Sequence, residues 1–353
     1  MENTDALAPY MNSRICGMRS RLLPRAEFEN LLDLGDAGRV ADALLSGPYQ
    51  QEMAEALTRY HGADAVEDAV TRNLVATFNT LYGLTQGYLR ELTQIFLLRW
   101  DLIAVKSLLR ARRHNLDEAT ASMGLMPGPS MTVAVQKSFL AHDSMESLIG
   151  ALASWKPSLC GVLEEALPAY QAANEVTPLE ERLDREYFVT SVKTLRAAED
   201  DDAKILRTAL QMEIDRINMR TIFQLKDPSL GADALAERLL PHGLLHASTL
   251  QNMATARDAQ HAAELLSGTA YKEMADRFFM FVQTMRYSPL ERLFDSLIIR
   301  HLKRESRVHV MSIAVLMHYT WLKYNEVVNL RLIARGEASK LPRGRIREEV
   351  VYA

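Results

Sequence analysis

The chain has 353 residues, 48% apolar and 24% charged, enough for one large folded core or two to three smaller ones. Its 41 basic and 45 acidic residues leave a net charge of −4. That balance excludes a general nucleic-acid binder, which displaces counterions with an excess of Lys and Arg. Two isolated cysteines, Cys16 and Cys160, exclude a disulfide framework and metal-type Cys spacing, and they point to a reducing compartment.

From the N-terminus, Met1–Tyr10 has no basic segment followed by an apolar run, so no signal peptide is expected. Leu23-Pro24 then reads as the start of a stretch of short helices. Leu45-Ser46-Gly47-Pro48-Tyr49 follows as a segment that recurs further along the chain. The apolar run Ile95–Leu98 is broken by Arg99, and Ile313–Met317 is broken by His318. No stretch reaches eighteen apolar residues, so no membrane-spanning helix is expected. Asp200-Asp201-Asp202 suits a helix N-cap, where carboxylates meet the positive end of the dipole. Leu206, Leu210, Ile214 and Ile217 recur at three- and four-residue steps, which predicts one helix face; Ile313, Leu316 or Met317, and Thr320 repeat the pattern. Strand-type alternation is absent, aromatics are only 7%, and helix formers abound, so the chain reads as all-α.

The sequence repeats itself. Asp101-Leu102-Ile103-Ala104-Val105-Lys106, Asp215-Arg216-Ile217-Asn218-Met219-Arg220 and Glu326-Val327-Val328-Asn329-Leu330-Arg331 share one pattern: acid, Ala or Asn three residues on, base five residues on. The acids lie 114 and 111 residues apart. A Leu- or Met-Pro pair follows each motif, at Met126-Pro127, Leu240-Pro241 and Leu341-Pro342. Leu266-Ser267-Gly268-Thr269-Ala270-Tyr271 echoes the segment at 45–49 about two periods later, and a diverged middle copy lies around Ala153-Ser154-Trp155. Three units follow, roughly 14–115, 116–230 and 231–341, with a short final helix at 343–351.

Asp215 with Asn218, and Glu326 with Asn329, share a helix face and sit among apolar positions, so both pairs should be partly buried. A buried carboxylate needs donors. The expected role is a polar clamp between the long helices and the short-helix segment, with Lys106, Arg220 and Arg331 reaching another helix or the chain end rather than their own acids. A general acid/base site used three times is the opposing reading, and it lacks a nucleophile, a metal ligand set or a cofactor loop. No Gly-x-x-x-x-Gly-Lys-Ser/Thr, Gly-x-Gly-x-x-Gly or Gly-x-Ser-x-Gly occurs, so no catalytic, nucleotide, cofactor or metal site is expected. His242 and His246 read as a helix-end pair without a third ligand. Three basic clusters, Arg110/Arg112/Arg113, Lys303/Arg304 and Arg343/Arg345/Arg347, are either solvated helix faces or partner contacts.

Three segments resemble the C/d family of rotary-ATPase subunits, designated C in archaeal and bacterial A/V-type enzymes and d in the vacuolar one. Arg14–Leu23 is similar to the family's opening Arg-Val-Arg-x-Met-Lys/Arg-x-x-Leu-Leu, with Cys16 in place of a basic residue. Arg99–Arg110 resembles Asp-x-x-Asn-x-Lys-x-x-Leu-Arg, with Ala104 in place of Asn. Asn329–Gly336 with Ile346–Val351 resembles the family's C-terminus, in its shorter prokaryotic form. The resemblance implies three helical lobes in a pseudo-threefold funnel. It implies a non-catalytic central-stalk component on the cytoplasmic side of the membrane, linking D- and F-type shaft subunits to the proteolipid ring and passing torque between ATP chemistry and ion transport. A generic helical-repeat adaptor for another helical partner is the alternative.

Overall fold

The computed structural model describes residues 4–117, 121, 125–224, 235, 237–272 and 288–352. Among these residues every regular element is a helix and no strand occurs, so the chain is all-α. No described helix is long and apolar enough to cross a membrane. The unit boundary expected at residue 230 lies outside the described residues. The chain forms two compact units, one of residues 1–187 with 306–353 and one of residues 188–305.

In the first unit, α1 (Thr4–Arg19) leads to three short helices, α2 (Arg25–Asp33), α3 (Ala37–Leu44) and α4 (Gln50–Ala56). Two long helices follow, α5 (Gly62–Gly83) and α6 (Gly87–Arg113). A second short series comprises α7 (Val133–Leu140), α8 (Met145–Trp155), α9 (Pro157–Cys160) and α10 (Leu163–Ala173), and it leads into α11 (Thr177–Arg196). After the second unit the chain returns as α16 (Ile313–Ala338) and α17 (Arg343–Glu349). Polar side chains start several of these helices. Asp36, Thr132, Ser144 and Ser312 each accept from a backbone N–H two or three residues on, which satisfies one of the donors that a helix start leaves over.

Helix α16 is the axis of this unit. It packs most extensively on α5, and also on α1, α3, α6 and α17. That explains why it is buried almost all round and lacks a clear apolar stripe. Trp100 and Trp321 meet edge to face, ring centroids 6.3 Å apart, with Phe78 and Phe96 against Trp100. The guanidinium of buried Arg99 lies 4.4 Å from the Trp321 ring centre.

In the second unit, α12 (Asp201–Gln224) starts where Asp200 accepts the Ala203 N–H at 2.9 Å, the cap that the acidic run predicts. Short helices α13 (Ala247–Ala254) and α14 (Ala259–Glu264) and the long α15 (Ser288–Val308) complete it. Its core holds Met219, Ile222, Leu250, Met253, Leu266, Tyr271 and Phe294. Helices α11 and α15 each run across the boundary between the two units.

Candidate functional site

Asp215 is fully buried on α12 and holds the loop that leads to α13. Its carboxylate accepts the Leu244 N–H at 2.9 Å, the Leu245 N–H at 3.1 Å and the Tyr271 hydroxyl at 2.8 Å. Asn218, one turn on, pairs with both backbone groups of Leu240: it donates to the carbonyl at 2.8 Å and accepts the N–H at 2.7 Å. A Cβ built on Gly243 would stand 2.0 Å from the Asp215 carboxylate, so only glycine lets the loop lie on the acid.

Asp101 on α6 makes a matching set of contacts. It accepts the Ser130 N–H at 3.0 Å, the Met131 N–H at 3.1 Å, the Ser130 hydroxyl and the Lys156 ammonium at 2.8 Å. A Cβ on Gly128 would fall 2.2 Å from its carboxylate. Glu326 on α16 accepts the Leu23 N–H, the Tyr49 hydroxyl at 2.6 Å and the Lys323 ammonium at 3.0 Å. Asn329 pairs with both backbone groups of Val351, 22 residues on, as Asn218 pairs with Leu240, also 22 residues on. Ala104, where the other motifs have Asn, has no amide to do this.

The motif bases reach across to neighbouring long helices. Lys106 pairs with Asp184 on α11, Arg220 with Glu291 on α15 at 3.4 Å, and Arg331 with Glu67 on α5 at 3.7 Å. A second base one turn away repeats each link: Arg110 to Glu180, Arg216 to Asp295 at 3.4 Å, and Arg335 to Glu67 at 2.7 Å. Each motif thus holds two separate pieces of chain, its acid a loop and its base a long helix. For Asp101 and Asp215 those pieces lie later in the sequence. For Glu326 and Arg331 they are Leu23, Tyr49 and Glu67, near the beginning.

One sequence marker requires correction. Leu341-Pro342 does not hold the place of Leu240-Pro241, because the residue paired with Asn329 is Val351. Pro342 instead precedes the first residue of α17. Proline before a helix is common enough that the dipeptide alone misled.

The sequence pattern of the ATP synthase (C/AC39) subunit family matches residues 11–349, nearly the whole chain. The chain belongs to this family. The C subunit of the A-type ATP synthase of Methanococcoides burtonii is 27% identical over 97% of this chain and 93% of the relative. Its counterpart in Methanosarcina acetivorans is 26% identical over 97% and 92%, and that in Halobacterium salinarum 24% over 97% of each.

In this member of the C/AC39 family the three basic clusters lie on α6, α15 and α17. Arg110 is bound to Glu180, Arg112 donates to the His142 carbonyl, and Arg113 to the Asn174 carbonyl at 2.8 Å. Lys303 and Arg304 are exposed on α15, with Arg304 on Glu305 at 2.9 Å. Arg343, Arg345 and Arg347 are exposed on α17, and Arg347 pairs with Glu29 at 2.9 Å. His246 caps α13 through its own ring nitrogen, and His242 has a left-handed φ of 75°. Among the described residues no group of three His, Cys, Asp or Glu could hold a metal ion. Sequence reasoning missed Lys156 and Lys323 and the acids that receive the bases. The i,i+4 pairs Glu180/Asp184 and Glu291/Asp295 were the available signal.

Burial pushes the Asp215 carboxyl up from 3.8 to about 7, and the bonds from Tyr271, Leu245 and Leu244 offset only part of that rise. The folded state therefore holds this proton more tightly than the unfolded chain does. The linked stability is fully present below about pH 4 and is lost as pH rises through about 7. Relative to Asp215→Asn, the wild-type chain should lose up to about 4 kcal/mol between those limits. Parallel denaturant titrations from pH 4.5 to 7.5 check this, and a difference independent of pH would refute it.

Proposed function

We propose that the chain is three copies of one helical unit, about 14–115, 116–230 and 231–341. It acts as the non-catalytic coupling subunit of a rotary A/V-type ATPase. In this reading it is a socket on the cytoplasmic side of the membrane, joining D- and F-type shaft subunits to the proteolipid ring. The observation that carries the proposal is the third clamp. Glu326 and Arg331 hold Leu23, Tyr49 and Glu67, so the last motif returns to the first segment. A part that passes torque must not open at a seam. Two polar attachments per copy, with the last copy tied back to the first, meet that mechanical demand.

The shared name of the relatives, the C subunit of an A-type ATP synthase, supports the same placement. So does the state of the motif acids. Each is engaged by two or more donors of the chain itself, which is a structural duty rather than that of a proton carrier awaiting substrate. Removing this chain from the complex tests the proposal. The ATPase head with its shaft should then separate from the membrane sector while keeping ATP hydrolysis. Head and ring that stay firmly joined without this chain would overturn the socket reading.

A further inference from the structure

We infer that the first unit docks on a ring of identical subunits through Leu116 and Leu341, the leucines just beyond the ends of α6 and α16. In the coupling reading above, on which this rests, that partner is the proteolipid ring rather than the shaft.

The two leucines owe their position to the same local structure. Each helix closes with a residue in the left-handed region, Asn115 at φ 50° and Lys340 at φ 53°. Each closure uses the same pair of backbone bonds. In α6 the Asn115 N–H donates to the Arg112 carbonyl at 3.1 Å and the Leu116 N–H to the Ala111 carbonyl at 3.1 Å. In α16 the Lys340 N–H donates to the Glu337 carbonyl at 3.0 Å and the Leu341 N–H to the Gly336 carbonyl at 2.9 Å. Both leucines stand ten residues after their motif bases, Lys106 and Arg331. Leu230 keeps that offset from Arg220 in the sequence, outside the described residues.

An apolar residue at this position of such a turn commonly packs back on the side chain five residues before it. Here those residues are Ala111 and Gly336, which offer almost no surface. Leu116 and Leu341 remain 42% and 41% exposed. A single exposed leucine is ordinary. Two in matching turns, both lacking the contact that the turn normally provides, make a repeated contact point.

The two turns lie toward one end of the unit. Helix α16 runs against α5, since Thr77 meets Tyr319 and Glu67 meets Arg335. Helix α6 also reverses the direction of α5, after a turn at 84–86. So α6 and α16 run the same general way, and they cross where Trp100 meets Trp321 and Tyr324. Leu116 lies sixteen residues beyond Trp100, and Leu341 seventeen beyond Tyr324.

At the starts of the motif helices the three copies differ. The turns there are Leu84-Thr85-Gln86, the acidic Ala197-Ala198-Glu199-Asp200, and His309-Val310-Met311-Ser312. Their capping differs too: Gln86 makes no side-chain cap, whereas Asp200 and Ser312 do. One chain that makes the same contact more than once fits a partner that offers the same surface more than once. A ring of identical subunits does that. A shaft presents a different face to each copy, so the leucine end belongs to the ring.

The full chain is tested against two probes, the detergent-solubilised proteolipid ring and the D–F shaft complex. Leu116→Asp with Leu341→Asp should weaken ring binding at least tenfold and leave shaft binding and the melting temperature unchanged. If the aspartates lower the melting temperature, Leu116→Ser with Leu341→Ser adds no charge beside the helix ends and should still weaken ring binding at least threefold. Tyr88→Asp with Met311→Asp, exposed positions near the starts of the same helices, should bind the ring as the wild type does. Leucine variants that keep full ring affinity, or that lose the shaft instead, overturn the proposal. A wild-type chain that binds neither probe overturns the coupling reading itself.

Discussion

Replacing Glu326 by leucine should destabilise the first unit by about 3–5 kcal/mol, the range for breaking a buried charged pair. Leucine fills most of the volume but accepts no hydrogen bond. The Leu23 N–H and the Tyr49 hydroxyl lose their acceptor, and Lys323, only 5% exposed, becomes an unbalanced buried charge. The loss should appear as a lower denaturant midpoint at unchanged slope. Amide exchange should accelerate in α1–α5 and α16 and stay unchanged in α12–α14. Adding Lys323→Met should recover much of the loss, because an apolar replacement of a whole buried pair is often neutral. A midpoint unaffected by Glu326→Leu would show that the third clamp is not needed to hold the first segment.

Truncating Trp100 to alanine should cost a similar amount, about 3–5 kcal/mol, for a different reason. Trp100 is 1% exposed and touches Phe78, Phe96, Trp321 and Tyr324, with ring centroids 5.1–6.3 Å away. Removing the indole leaves a cavity that the surrounding large rings cannot close by small shifts. It also strips one aromatic face from the buried Arg99 guanidinium. Trp100→Phe should cost clearly less. Equal effects of alanine and phenylalanine would mean that the ring cluster is not close-packed.

The all-α class was legible because helix-type spacing and helix-forming composition agree along the chain. The motif was legible as well, since acid, amide and base keep their offsets at 101, 215 and 326, apart from Ala104 at the first amide position. What these side chains touch was legible only in outline. Tyr49 and Tyr271 stand in the matching segments at 45–49 and 266–271, yet their hydroxyls could not be paired with Glu326 and Asp215 from sequence. Those contacts span 277 and 56 residues, and no local pattern encodes a partner at such distance. Lys156 takes up Asp101 at the middle position by other chemistry, which hid the equivalence. Lys323 reads as an ordinary surface lysine three residues before Glu326, because burial is a property of its neighbours in space.

The three clamps also differ in when they become available on a ribosome. Asp101 and Asp215 meet their loop donors 29–30 residues later, so each clamp can close soon after its motif emerges. Glu326 meets Leu23 across 303 residues and Tyr49 across 277. At about 5–20 residues per second, Tyr49 waits roughly 15–55 s for its acceptor to be synthesised. Through that interval α3 and α4 can pack on α5, but α2 and α3 lack α16, and Leu23 and Tyr49 lack their acceptor. Part of what secures the earliest segment is therefore made last, and until then that segment is open to holding chaperones and to nascent-chain proteolysis.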